Sequence, residues 1–236
     1  MKSMVRSLAS FAMMLAFVAV AAAQQRQETR AVSGFTSISL SAPINVELVQ
    51  GDTEGMALDG DAAALADLET VVEHGSLKIR TLSYFEVPGM QKVHARISVK
   101  SIDALAIAGS GDIKSMALKC NDLKISIAGS GDVRIQALTA SDLHVSIAGS
   151  GDALLGGKVD TVSTSIAGSG DMKAAKLESR QSKVSIAGSG DAMLWAREQI
   201  SVSIMGSGDV RYYGDPTIKS SILGSGSVKR VAAAPS

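Results

Sequence analysis

A short stretch that ends in a carboxylate recurs along this chain. The heptapeptide "SIAGSGD" occurs four times between Ser126 and Asp191, and close relatives precede and follow it. The aspartate has an equivalent position in six units: Asp112, Asp132, Asp152, Asp171, Asp191 and Asp209. Carboxylates at a regular spacing could bind cations, transfer protons or accept hydrogen bonds from turn amides. A protein that binds one ligand needs such a stretch only once, so its repetition needs an explanation of its own.

The neighbours of these aspartates favour a structural role. Stacked at strand spacing, the carboxylates would repel by about 1 kcal/mol per neighbouring pair in water. Glycines beside them allow turn amides to reach a carboxylate, which offsets this repulsion. A basic side chain follows two residues later in four of the six units: Lys114, Arg134, Lys173 and Arg211. We therefore predict that the six aspartates form a structural turn ladder.

Metal, phosphate and cofactor sites are less well supported. Gly-Asp turns bind calcium in β-rolls with a nine-residue period, whereas the period here is about twice as long. A phosphate loop needs a helix N-terminus behind its glycines, and here a strand is predicted instead. His74, His94 and His144 have no ligand spacing to each other or to Cys120. We predict no catalytic, cofactor-binding or metal-binding residues.

An enzyme nevertheless stays open as an alternative. β-Helices that act on polysaccharides use paired acids, and Asp132 with Asp152 could form such a pair. A uniform ladder gives no reason to single out two members. A serine nucleophile would need a base and an orienting group, but the motif serines form a uniform column: Ser110, Ser130, Ser150, Ser169, Ser189, Ser207 and Ser225.

The spacing of the motif identifies a repeat. Its first glycines are separated by 20, 20, 19, 20, 18 and 18 residues: Gly109, Gly129, Gly149, Gly168, Gly188, Gly206 and Gly224. A unit this short cannot enclose its own core, so neighbouring copies must stack, as in a solenoid.

Within each unit the hydrophobic pattern has a period of two, which is typical of half-buried strands. Leu123, Ile125 and Ile127 alternate with Lys124 and Ser126. We predict an all-β fold, a single-stranded right-handed parallel β-helix of about 20 residues per coil, in which each unit is strand, Gly-Ser-Gly corner, strand and wider turn. One isoleucine column should run through every coil: Ile107, Ile127, Ile147, Ile166, Ile186, Ile204 and Ile222.

The N-terminal third contains a degenerate form of the same unit. Aligning residues 37–51 with residues 124–138 places Leu40 on Ile127 and Asn45 on Asp132. We expect residues 32–100 to form degenerate coils and a cap, with 61–69 as a short helix, because terminal repeats must cover the core. Residues 101–230 should form the regular repeats, and residues 24–31 and 231–236 should be disordered.

The first 23 residues resemble a signal peptide, with basic residues, an apolar run and three alanines before a polar segment. A retained anchor is the alternative, although the apolar run is short for a membrane span. Removing Lys2 and Arg6 leaves 21 of the 23 basic residues against 23 acidic ones, a formal charge of −2, which does not attract nucleic acid. Cys120 is alone and is expected to pack as a small hydrophobic residue.

Several segments together resemble a known family. The opening "FTSISLSAPINVELVQGD", the later "LETVVEHGSLKIR" and the recurring "AGSGD" units resemble the putative auto-transporter adhesin head domain of bacterial secreted proteins. The resemblance covers about residues 33–227. It implies a β-helix in the bacterial envelope or outside it and carries no catalytic residues.

The resulting expectation is a non-enzymatic exported β-solenoid, an adhesin or a cell-envelope interaction protein. Its location would be the periplasm, the outer-membrane surface or the outside of the cell. The partner would be an envelope, host or glycan molecule, with no nucleic acid, no transmembrane segment in the mature chain and a possible homo-oligomer. A polysaccharide-acting enzyme and a periplasmic assembly or stress factor are the alternatives. Recognition is expected at the irregular segments Thr81–Val93 and Trp195–Gln199.

Overall fold

The computed structural model describes residues 25–83, 85 and 87–231. They form a β-solenoid of stacked parallel coils with about six turns of roughly 20 residues, which confirms the predicted fold class. The signal peptide predicted for residues 1–23 and the tail 232–236 lie outside the described residues.

All the described strands belong to one sheet that winds around the solenoid. The N-terminal elements are β1 (Gln25–Arg30), β2 (Ser37–Ser41), β3 (Asn45–Gln50), β4 (Gly55–Asp61), α1 (Ala62–Asp67), β5 (Leu68–Glu73), β6 (Ser76–Thr81), a 3-10 helix (Met90–Lys92) and β7 (His94–Val99). The array that follows contains β8 (Ala104–Gly109), β9 (Asp112–Lys119), β10 (Asp122–Gly129), β11 (Val133–Gly149), β12 (Ala153–Gly168), β13 (Met172–Gly188), β14 (Ala192–Gly206), β15 (Asp209–Tyr213), β16 (Thr217–Gly224) and β17 (Ser227–Arg230).

The regular array stacks in the predicted register. Ile127 lies beside Ile107 on one side and Ile147 on the other, and the column continues to Ile222 with the same pairing. These isoleucines are buried except at the last coil. Stacking like residues at the ~4.8 Å strand spacing lets each coil bury the apolar face of the next.

The wider turn predicted in every coil is wrong for the middle of the array. Strand β11 runs without interruption from Val133 to Gly149, and β12, β13 and β14 are similarly long. The chain bends through shifts of register instead, for example between Ile135 and Leu138. Bulges of this kind bend a strand without ending its pairing, which alternation in the sequence does not reveal.

The degenerate first coil lies where the alignment placed it. Leu40 pairs with Ile107 and Asn45 with Asp112, so β2 and β3 stack directly on β8 and β9. The order in space differs from the order in the chain, however. Strands β6 and β7 pair with the other side of β2 and β3, so the second coil of the chain is the outer one.

An antiparallel cap closes the N-terminal end. Strand β5 pairs with β6, β4 pairs with β7, and β1 pairs with β4, all antiparallel. Helix α1 matches the short helix predicted within 61–69, and it buries Ala64 and Leu65. These antiparallel strands and α1 cover the core at this end.

The disorder predicted for residues 24–31 is wrong for Gln25–Arg30, which is strand β1. This strand has no fully buried side chain, so its polar sequence carries no hydrophobic signal. Arg30 donates hydrogen bonds to the carbonyl oxygens of Leu65 and Leu68 at the end of α1 and pairs with Glu28. Backbone pairing and this one side chain hold the strand in place.

Candidate functional site

The Gly-Ser-Gly corner has two different glycine requirements. Gly129 has a φ of 130°, which side chains rarely adopt, and a Cβ there would lie less than 3.0 Å from the Gly109 carbonyl oxygen. The second glycine, Gly131, would bring a Cβ equally close to the Gly111 oxygen. The middle residue, Ser130, is exposed. The motif is therefore small because each corner lies against the backbone of the corner below it.

Each aspartate of the ladder bonds to the next coil. One carboxylate oxygen, Oδ1, of Asp132 accepts the backbone N–H of Asp152 at 2.8 Å, and Oδ1 of Asp152 accepts that of Asp171 at 3.0 Å. The same bond joins the other members at 2.8 to 3.0 Å, and Ser227 donates to Asp209 at the end of the column. The amide donor comes from the following aspartate, not from the Gly-Ser-Gly corner as predicted.

Two of the cations beside the ladder each pair with aspartates of two coils. Arg134 contacts Oδ2 of Asp112 at 3.3 Å and Oδ2 of Asp132 at 2.6 Å. Lys173 likewise pairs with Asp152 and Asp171.

Because one cation can pair with two aspartates, the column of residues two positions after the aspartates needs fewer basic side chains than there are carboxylates. Arg211 approaches Asp209 at 4.0 Å, whereas Lys114 pairs with none of the six aspartates. Leu154 and Met193 occupy the same column between the cations. One cation can bridge two carboxylates. Every pair of neighbouring aspartates therefore still includes a member that contacts a cation, although Leu154 and Met193 are apolar.

The pKa shifts agree with this arrangement. The hydrogen bond from the Ser227 hydroxyl is the main reason why the pKa of Asp209 lies below its ordinary value. The hydrogen bond to Asp152 raises the pKa of Lys173, and desolvation opposes this rise. Both groups are held in their charged forms, which suits an ion-pair ladder and not a proton donor.

The other candidate residues do not assemble into a site. His74 lies in the turn between β5 and β6, His94 begins β7, and His144 lies within β11. Across the described residues, no three His, Cys, Asp or Glu side chains come together as metal ligands would. Cys120 is half-buried against the core, and burial is the main cause that raises the pKa of its thiol.

Segment Thr81–Val93 replaces a short corner. In the first coil, residues 42–44 connect β2 to β3, and in the outer coil residues 81–93 cover the equivalent step. The start of this segment is held by α1, because Asp67 accepts the Leu82 and Ser83 backbone N–H groups at 2.8 and 3.0 Å. Its end is held by the 3-10 helix and by the Asn45 N–H bond to Val93. We call residues 81–93 the corner loop.

The corner loop lines a groove of about 490 Å³. Its apolar wall includes exposed Phe85 and half-buried Val87, while Lys92 and Gln91 supply polar groups. Pro43 of the first coil completes the lining. Sequence reasoning singled out this segment because it departs from the repeat, but Pro43 could not be found because its proximity depends on the order of the coils.

The second predicted segment, Trp195–Gln199, lies within β14. Trp195 pairs in register with Tyr213 and is half-buried, and its carbonyl oxygen accepts the Ser179 hydroxyl at 2.9 Å. Arg197 and Glu198 are engaged in ion pairs with side chains of the preceding coil. This segment is therefore part of the regular stacked coils, whereas the corner loop forms a groove.

The sequence of this chain matches the model of one protein family. The family described as putative auto-transporter adhesin, head GIN domain, matches residues 34–216. The match spans most of the chain, so the chain belongs to this family, as the resemblance of its motifs predicted.

Several solved bacterial structures share this fold. A putative adhesin from Bacteroides fragilis is 25% identical, with a TM-score of 0.85 over 89% of this chain and 98% of that one. A putative lipid binding protein from Parabacteroides distasonis is 27% identical, with a TM-score of 0.71 over 88% of this chain and 96% of that one. A putative adhesin from Parabacteroides merdae, 18% identical with a TM-score of 0.70, covers 88% and 96% and shows the fold alone.

Proteins with curated descriptions include none that matches this sequence. Between Gln25 and Val231, as far as the structure describes them, no helix has the length and apolar character needed to span a membrane.

Proposed function

We propose that this protein is a non-enzymatic exported solenoid that acts as an adhesin or cell-envelope interaction protein. The observation that carries the proposal is the groove under the corner loop, where the otherwise uniform surface becomes irregular and apolar. Its wall is anchored at both ends, so the binding surface is ready before a ligand arrives. Family membership suggests that the chain is exported.

The carboxylate ladder supports the non-enzymatic part of the proposal. A glycan-cleaving acid needs a raised pKa and a neighbour that can stay ionised. Asp132 and Asp152, the imagined acid pair, each use Oδ1 to accept an amide and Oδ2 to bind a cation. The pKa of Asp209 in the same ladder is shifted downward, the wrong direction for a general acid.

The exposed serine column offers a further contact surface. The seven corner serines are exposed and repeat at the strand spacing of ~4.8 Å. A repetitive partner could contact several coils at once, and such multivalent binding gains affinity without any strong single contact. The ladder aspartates contribute less to this surface because their oxygens are already engaged.

The partner and the compartment belong to the proposal as well. We infer an envelope, host or glycan partner met in the periplasm, at the outer-membrane surface or outside the cell. A formal charge of −2 for the chain after residue 23 does not favour nucleic acid. A periplasmic assembly or stress factor is the alternative, and the functions of neighbouring genes would separate it from adhesion.

A second candidate function is the binding of an acyl chain in the groove. The apolar wall formed by Phe85, Val87 and Met90 fits a hydrocarbon chain, and Lys92 at its margin fits an anionic head group. A structural relative at 27% identity is named a putative lipid binding protein, which supports this candidate.

One set of measurements tests both candidates. The mature chain is applied to a glycan array, to immobilised extracellular-matrix proteins and to a fluorescent fatty acid, and the variant Phe85→Asp is compared with Leu82→Asp. Both side chains are exposed, but only Phe85 lines the groove. We expect binding in at least one assay that Phe85→Asp abolishes and Leu82→Asp retains.

The outcomes are distinguishable. Fatty-acid binding that is sensitive at Phe85 selects the lipid candidate, and glycan or matrix binding with the same sensitivity selects adhesion. Binding that both variants retain would move the site away from the groove. Cleavage of a polysaccharide that is lost in Asp132→Asn would replace the proposal with the enzyme alternative.

A further inference from the structure

The two ends of the solenoid differ in how they cover the core. At the N-terminal end, α1 and the antiparallel strands bury the last inward-facing residues, and Leu77 and Ile79 of β6 are fully buried. At the other end, Ile222 of β16 is 41% exposed, whereas its equivalent one coil earlier, Ile204, is 1% exposed. Within residues 25–231, β16 pairs with β14 alone and β17 with β15 alone, so no strand pairs with their outer side.

The open edge also presents backbone groups. In the array, residues with outward side chains donate their N–H backward, as Lys124 does to the Asp103 carbonyl oxygen at 2.8 Å. By the same alternation, the inward-facing residues of β16 direct their N–H and C=O groups to the open side: Ile218, Ser220 and Ile222. An edge with unpaired backbone groups and exposed apolar side chains readily accepts another strand.

We propose that this end is a dimer interface, occupied by a second copy of the chain in a two-fold arrangement with β16 antiparallel to the partner's β16. Among the described residues, apolar core is exposed at this end and not at the capped end, so a head-to-tail stack would bury it against a closed cap. A two-fold contact covers both open ends at once and stops at two copies.

The sequence of β16 is self-complementary in one register. If Ser220 lies opposite its own copy, Ile218 lies opposite Ile222 and Lys219 opposite Ser221, so no like charges face each other. Each inward-facing residue then exchanges both of its backbone hydrogen bonds with the partner strand. A shift by one residue would lose these bonds and turn the isoleucines away from each other.

The carboxylate ladder ends in a way that fits this contact. Each aspartate needs an amide from the following coil, and the last coil has Ser227 in place of aspartate. Ser227 satisfies Asp209 and adds no charge of its own. Two copies can therefore approach end to end without bringing two uncompensated carboxylates together.

Sedimentation of the mature chain tests the interface. We expect a dimer at micromolar concentration, and we expect Ser220→Asp to weaken it about tenfold or more because two carboxylates would meet on the two-fold axis. The control Ser203→Asp places the same charge on an exposed outward position one coil earlier and should leave the dimer intact. A monomeric native chain, or a dimer that Ser220→Asp leaves unchanged, would overturn the proposal.

Cross-linking tests the register. Ser220→Cys should form a disulfide between copies, because directly opposed Cα atoms in a hydrogen-bonded antiparallel pair are about 5.5 Å apart. Lys219→Cys should not, because its own copy lies diagonally at about 8 Å. Equal cross-linking at both positions would contradict this register. A native chain that dimerises only after residues 232–236 are removed would show that this segment, not a second copy, occupies the end.

Discussion

The interior corners and the outer corner loop occupy the same step of the coil but follow opposite rules. An interior corner such as Gly129–Gly131 has backbone above and below it, and any added Cβ at either glycine meets the neighbouring coil. The corner loop belongs to the outer coil, where another coil stacks on one side and the cap with α1, not a further coil, lies on the other. It is lengthened from residues 42–44 to residues 81–93 and encloses a groove.

This difference explains why the most repeated motif is a less promising binding site than the corner loop. Stacking on both sides forces interior corners to be short and alike, because a longer corner would displace the next coil. Variation is tolerated where stacking ends, so a recognition site can be built there without disturbing the array. In a solenoid, uniform repeats therefore result from the packing of coil on coil. Segments that depart from the repeat are the places where a binding site can be located.

The largest effect on stability is expected at the corner glycines, where two variants separate backbone strain from the contact between stacked coils. Gly109 and Gly129 both have positive φ, but only at Gly129 would a Cβ meet the backbone of the coil below. We expect Gly129→Ala to lower the free energy of unfolding by about 3 kcal/mol or more, and Gly109→Ala by about 1 kcal/mol. Urea denaturation measures both. Equal losses would show that φ alone, and not stacking, demands glycine.

The next effect concerns the carboxylate ladder. Asp152→Ala leaves the partly buried amide of Asp171 without its acceptor and should cost about 2 kcal/mol in the same assay. Asp152→Asn keeps an acceptor oxygen and loses the ion pair with Lys173, so its cost should be below about 1 kcal/mol. If both variants are as stable as the native chain, the ladder is not a structural element.

A smaller effect is expected at the cap. Arg30→Ala removes hydrogen bonds to the Leu65 and Leu68 carbonyl oxygens and should cost about 1 to 2 kcal/mol, confined to β1 and α1. Hydrogen exchange should become faster in residues 25–30 and 62–67 and stay unchanged in the array. Arg26→Ala, on the exposed part of the same strand, is the matched control. Faster exchange throughout the array would mean that the cap and the coils unfold as one unit.

The smallest effect is a pH dependence at the open end. The pKa of Asp209 is lowered in the folded state, so its contribution to stability is present above the ordinary value of 3.8 and is lost as the pH falls through the lowered folded value. Ser227→Ala should therefore destabilise the chain slightly at neutral pH and converge with the native chain in acid. Ser225→Ala, an exposed corner serine in the same coil, should behave as native at every pH. A difference that grows in acid would contradict the assignment.

The regular array was predictable because each position of the repeat has one structural role, either facing the core, facing solvent or forming the corner. Alternation identified the inward face of the Ile127 strand, and the fixed spacing required equivalent residues to stack. The degenerate match of Leu40 and Asn45 was also found, because the pattern of apolar and polar positions survives the loss of both glycines. Strand β1 was missed because its polar residues bury no continuous face.

The ladder was only partly predictable. The aspartates and nearby cations were visible in the sequence, but the amide donor on the following coil was not. The sequence also could not show that Arg134 bridges Asp112 and Asp132, which makes the apolar Leu154 acceptable in the same column. These relations depend on which oxygen faces which coil.

The sequence by itself determined the repeat, the inward face and the glycine corner, because periodic burial and close backbone contact restrict residue types position by position. Only the tertiary structure decided the order of the first coils, the groove under the corner loop and the open C-terminal edge. Alternation states which face of a strand is buried but not which neighbour pairs with it. The placement of β6 and β7 outside β2 and β3 therefore had to come from the packed molecule, where the cap closes one end of the core.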